Sequence, residues 1–129
     1  MYHESDESHC SIAPWAMRLL LAEIPMYNNK QVMTMNRLFR LRRSVQTMIS
    51  NLEKGLNPDG EVILSEDAER RVSLGLKMWR DRERQVLYSL VNCCVLHQDY
   101  ESAVKCLDML RSVETEENST VPVHYGRKV

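Results

Sequence analysis

Cys93 and His97 stand four residues apart. That spacing puts a thiol and an imidazole on one face of a helix, where both could reach a metal ion. A stable site needs a second pair of ligands, and the apolar-patterned part of the chain offers none. His3, His9 and Cys10 form another group of donors, but they sit in a polar lead-in with no fixed backbone to hold them together. Nucleophilic and phosphate chemistry are equally bare. There is no Gly-rich phosphate loop, no Ser-His-Asp set and no Cys-x-x-Cys. The carboxylates are interleaved with Arg and Lys on helical stretches, which is the pattern of solvated helices, not of paired catalytic acids. Arg37, Arg40, Arg42 and Arg43 form a local basic cluster. Its one interleaved aromatic, Phe39, belongs to the apolar stripe of the same helix, so the cluster reads as a solvated face and not as a nucleic-acid groove. The expectation is a chain that is not an enzyme, with no cofactor, no metal and no small-molecule substrate. Asn118-Ser119-Thr120 matches a glycosylation acceptor but reads as incidental.

Composition agrees with that expectation. The 129 residues suit one domain, with 43% hydrophobic and 27% charged residues and a net charge of −1. No global field points to nucleic acid or a membrane surface. Gly and Pro are scarce at four each, and the abundance of Leu, Met, Arg and Glu favours helix over sheet. Cys10, Cys93, Cys94 and Cys106 make a poor disulfide framework, because two are adjacent on one helix. A reducing, cytoplasmic setting fits best. The first eleven residues are acidic and polar, without the pattern of a signal peptide. The longest apolar run, Trp15 to Ile24, is broken by Arg18 and Glu23 and is too short to span a bilayer.

The elements follow from periodicity. Residues 1–11 read as a disordered acidic lead-in and 12–113 as one helical domain. A mobile loop is expected at 56–64 and a disordered polar tail at 114–129. Four helices are expected, near Pro14–Ile24, Lys30–Lys54, Ser65–His97 and Tyr100–Val113. The first is apolar on more than one side and should be buried between neighbours. Pro25 and Asn28-Asn29 end it, and Gly55 caps the second. Asn57-Pro58-Asp59-Gly60 is a turn signal, with Val62 to Leu64 placed to touch the core. Ser65 is placed to cap the third helix. Within that helix, Arg80 to Arg84 (RDRER) should be the most solvated stretch.

The chain is organised around Arg84 to Val113, which reads as an antiparallel helical hairpin broken by His97, Gln98 and Asp99. Asp99-Tyr100 followed by Ala103 is the turn pattern of a tetratricopeptide (TPR) repeat. In that register Leu87, Leu90, Val91, Cys94, Tyr100, Ala103, Leu107 and Leu110 form the repeat core. Val91 and Leu110 depart from the small residues usual at their positions. The fold class is therefore all-α, with TPR-like antiparallel hairpins forming a partial α-solenoid. Such a hairpin buries both faces against neighbours, and the apolar pattern stops after Val113. The candidate partner surface is Tyr88, Asn92, Val104 and Met109.

The stretches IAPWAMRLLLAEIP, RLFRLRRSVQTMISNLEKGL with NPDG, and LKMWRDRERQVLYSLVNCCVLHQDYESAV mark a region from Pro14 to about Arg111. In order and spacing they resemble the C-terminal TPR region of the subunit-twelve family of trafficking protein particle (TRAPP) complexes. The block of Trp79, Arg80 and Arg82 is more specific than the TPR pattern itself. The resemblance implies a non-catalytic scaffold in vesicle tethering between endoplasmic reticulum and Golgi. Its partners would be protein subunits of the tethering complex, and it would reach those membranes only through the complex. It also implies that the chain is a fragment or short isoform. A TPR adaptor gripping a peptide segment is the alternative. In a chaperone-type clamp Tyr88 and Asn92 would hold the carboxylate-binding positions, where Asn fits but Tyr does not replace the usual Lys. A small enzyme is a weaker alternative.

Overall fold

The fold is that of a computed structural model, which describes residues 14–64 and 66–128, with side chains described for 15–64 and 66–116. It is all-α: helix α1 (Pro14–Glu23), a 3₁₀ turn (Ile24–Asn28), α2 (Gln31–Glu53), α3 (Ala68–Leu96) and α4 (Tyr100–Lys128). The described residues contain no strand, only an isolated antiparallel bridge between Leu56 and Val62. The helices stack in series, with α3 between α2 and α4 and α1 laid over the seam of α2 and α3.

Local chemistry explains each boundary. Pro14 opens α1, where its missing N–H costs nothing. Asn29 turns the chain in the left-handed region at φ 61, a conformation Asn tolerates, and the N–H of Lys30 bonds back to the Pro25 carbonyl. Helix α2 ends in a Schellman motif. Gly55, at φ 81, donates to the Leu52 carbonyl, and the N–H of Leu56 donates to that of Asn51, both at 2.9 Å. The hairpin turn repeats the motif with a different residue. Gln98 takes φ 60, its N–H bonds Val95, and the N–H of Asp99 bonds Cys94 at 2.8 Å. Asp99 then caps α4 by accepting from the N–H of Ser102. Its second oxygen accepts from Gln31 at 2.6 Å, tying the start of α2 to the hairpin turn.

The core runs along one face of each helix. It includes Leu38, Leu41, Val45 and Leu52 from α2, Val86, Leu87, Leu90 and Cys94 from α3, and Ala103, Cys106, Leu110 and Val113 from α4. Ala103, 5% exposed, is the small residue in the α3–α4 crossing. Ala103→Leu should overpack it and cost about 1–3 kcal/mol, read as a lowered urea midpoint. Gly75 has a related role: a Cβ there would stand 3.1 Å from the Leu52 side chain, so its absence lets α3 approach the end of α2.

Several expectations need correction. Helix α3 starts at Ala68, not Ser65, which lies outside the described residues, as does the lead-in at 1–11. Helix α4 does not stop at Val113 but continues through Lys128. The apolar stripe ends there, yet Glu114, Glu116 and Glu117 are good helix formers and no Pro or Gly intervenes before Pro122. Helix α1 is buried on one side only: Trp15 and Ala22 face the core while Met17, Leu20, Leu21 and Ile24 are exposed. Val62 and Leu64 do not touch the core, being 63% and 91% exposed. The loop they follow is held by bonds of its own, including Asn57 N–H to Glu61 and Asn51 Nδ2 to the Pro58 carbonyl.

Candidate interaction surface on the helical hairpin

The RDRER stretch is an interface, not a solvated surface. Glu83 is buried, and its Oε2 accepts from Arg42 Nε and Gln46 Nε2 of α2, each at 3.2 Å. Arg42 also reaches across to α4, donating to the Met109 sulfur at 3.1 Å. Arg80 pairs with Glu53. Arg82 lies over both indoles, 4.5 Å from the Trp79 ring and 5.1 Å from that of Trp15, and the two rings meet edge to face at 6.3 Å. Burial against these rings and then the charge of Arg18 push the Arg82 pKa down. Trp15 Nε1 donates to Gln85 at 2.8 Å, and Ser89 donates to Glu23, so α1 is latched to α3 at both ends. Of the four basic-cluster arginines, Arg42 is therefore structural, while Arg37, Arg40 and Arg43 remain exposed.

The hairpin residues divide into two sets. Leu87, Leu90, Cys94, Ala103 and Leu110 are buried, and Val91 is half-buried against the core. Tyr100 and Leu107 are not core: they are 61% and 40% exposed. Of the candidate partner surface, Tyr88, Asn92 and Val104 are exposed, whereas Met109 is half-buried beneath Arg42. Both corrections have one cause. In α4 the buried stripe is Ala103, Cys106, Leu110 and Val113, which rotates Tyr100, Val104 and Leu107 together onto the outer side. These three recur at the i, i+4 and i+7 spacing, which is legible in the sequence once Tyr100 is released from the turn. Tyr88 and Val95 of α3 are a second pair of exposed apolar residues on the hairpin, seven residues apart on their helix. The hairpin thus presents an apolar helical face with polar neighbours, the form a helix-packing partner covers.

The thiols show no built chemistry. Cys93, Cys94 and Cys106 are free and buried. Burial, with the neighbouring Cys106, pushes the Cys94 thiol up to about 12, and burial raises Cys93 and Cys106 as well. The Cys93–His97 pair does not converge on a point: the carbonyl of Cys93 accepts from His97 Nδ1 at 2.9 Å, and the Cys93 thiol is directed at the Gln31 carbonyl. Among the described residues no group of three or more His, Cys, Asp or Glu side chains is arranged to hold a metal. A thiol whose pKa rises on folding keeps its proton more tightly in the folded state. Its contribution to stability is complete below the ordinary value of 9.0 and is lost as pH rises toward about 12. Urea midpoints should accordingly fall between pH 9 and pH 12, and a Cys94→Ala variant should show a shallower fall.

A concavity lies between α2 and α4 over α3. It encloses about 460 Å³ and is lined by Arg42, Gln46, Glu53, Arg80, Glu83 and Glu116, among others. Among its charges Arg42 is already engaged with Glu83, and Arg80 with Glu53. No helix among the described residues is long and apolar enough to cross a membrane.

No protein-family model and no solved structure matches the chain. Two curated proteins do: trafficking protein particle complex subunit 12 of Mus musculus, 36% identical over 94 residues, and its Homo sapiens counterpart, 34% identical over 95 residues. The matches cover 73% and 74% of this chain but only 12% and 13% of the curated proteins. Over about three quarters of its length the chain is thus related in sequence to a segment of trafficking protein particle complex subunit 12.

Proposed function

We propose that this chain is a non-catalytic scaffold segment of a TRAPP-type tethering complex, acting in vesicle traffic between endoplasmic reticulum and Golgi. It is cytoplasmic and peripheral to those membranes, reaching them through the protein subunits that hold it. The observation that carries the reading is the exposed face Tyr100, Val104 and Leu107, in a chain whose sequence is related to a subunit of such a complex. Helices of stacked hairpins leave such a face open only at the end of an array or where a partner packs. The TPR character of the hairpin belongs to the same proposal, with Leu87, Leu90, Cys94, Ala103 and Leu110 as its repeat core.

The peptide-adaptor reading rests on the α2–α4 concavity, which is large enough for a short extended segment. Affinity capture with the tagged full chain from cytosol, read by mass spectrometry, separates the two. TRAPP subunits in the eluate are the expected result. Chaperones in their place would favour the adaptor and overturn the scaffold.

A further inference from the structure

Arg18 of α1 and Arg37 and Arg40 of α2 converge on an open groove of about 470 Å³ whose floor is Leu21, Ala22 and Leu41. Arg18 donates to the Ser44 hydroxyl at 3.4 Å, and Arg37 to the Leu21 carbonyl at 3.1 Å. No acidic side chain among the described residues pairs with any of the three. Three guanidinium groups of like charge are thus gathered on one groove without a counter-charge. This contrasts with Arg42, Arg80, Arg84 and Arg111, each of which faces an acid.

The same chain carries the complementary charge. Glu4, Asp6 and Glu7 lie in the segment that leads into α1. We propose that the α1–α2 groove is the docking site of the chain's own acidic N-terminal segment, with Glu4, Asp6 and Glu7 set against Arg18, Arg37 and Arg40.

Reach and tethering support this pairing. Helix α1 runs antiparallel to α2, since Arg18 meets Ser44 while Leu21 meets Arg37. The chain therefore enters α1 at the Ser44 end of the groove. From Ser44 to Arg37 is seven residues of helix, on the order of 10 Å. Glu7 and Glu4 precede Pro14 by seven and ten residues, an extended reach of roughly 23–33 Å. The segment can double back along the whole groove. Exposed ion pairs are individually weak and salt-sensitive. A tether this short supplies an effective concentration on the order of millimolar, and three pairs act together.

The test is a ¹⁵N spectrum of the full chain and of a Glu4→Gln/Asp6→Asn/Glu7→Gln variant. Signals of Arg18, Arg37 and Arg40, including their Nε–H groups, should differ between the two proteins. The difference should collapse in about 0.5 M NaCl, where screening is short-ranged. Excess peptide of residues 1–11 added to the variant should move its arginine signals toward the parent positions. Amides of α3 and α4 serve as the check that the fold is unchanged. Differences confined to residues 1–13, with the three arginines unmoved, would overturn the proposal. So would arginine shifts that grow with protein concentration, which would assign the groove to the segment of a second copy.

Discussion

Replacing Glu83 with Ala is expected to cost about 2–4 kcal/mol of folding stability. Removing one member of a buried ion pair ordinarily costs roughly 3–5 kcal/mol, because the other charge is left desolvated and unpaired. The Arg42 side chain keeps 19% exposure against 8% for Glu83, so partial rehydration of the guanidinium softens the loss. The effect reaches beyond the pair. Glu83 also accepts from Gln46, and Arg42 bridges to Met109, so one carboxylate organises contacts among α2, α3 and α4. Against a total stability of roughly 5–15 kcal/mol for a chain of this kind, the loss is large. A paired Arg42→Met/Glu83→Leu variant should return most of it, since an apolar pair leaves no charge to desolvate. Urea unfolding followed by circular dichroism measures both. Parent-like stability in Glu83→Ala would mean that the carboxylate is solvated and the α2–α3 seam is held by its apolar residues alone.

Trp79→Ala should cost about 3–5 kcal/mol, the range for truncating a large buried aromatic. Trp79 is 9% exposed, edge-on to Trp15 and stacked under Arg82. Its loss opens a cavity beneath the guanidinium and removes the surface on which α1 docks. The chain has two tryptophans, so in the variant Trp15 is the sole indole and reports on its own surroundings. Its emission should shift to the red as α1 loosens, before the rest of the fold melts. Emission that stays blue, with an unchanged midpoint, would place the anchoring of α1 in its contacts with α2.

These two sites mark the limit of what the sequence shows. The four helices are legible because each has an apolar stripe at helical spacing, and the turns are legible from Asn28-Asn29, Gly55 and Asp99. The buried arginine and glutamate are not. Local reading assigns a run such as RDRER to solvent, because charge is costly to bury unpaired. The partners that remove the cost are distant in sequence: Arg42 lies 41 residues from Glu83 and Gln46 lies 37. The same limit applies to α1, whose apolar residues all look like core, although only one side of a helix this short finds a neighbour. In the hairpin the buried members Leu87, Leu90, Cys94 and Ala103 follow from periodicity. The assignment of Tyr100 and Leu107 to the core came from a repeat pattern that assumes a further neighbouring helix. With no such helix packed on them among the described residues, they join Val104 on the open face. Met109 moved the other way because Arg42 is long enough to cover it from α2.

In the proposed scaffold the outer face of α4 is where protein partners hold this chain. The most direct measurement is quantitative capture from cytosol of the tagged parent beside a Val104→Lys/Leu107→Lys variant, with thermal unfolding of both as control. Both positions are already exposed, at 57% and 40%, so the variant should unfold close to the parent. TRAPP subunits recovered with the parent and at least tenfold depleted with the variant is the predicted result, since two charges placed in an apolar contact cost more than the roughly 1.4 kcal/mol that a tenfold change in affinity requires. Equal recovery of those subunits with both proteins would contradict the account.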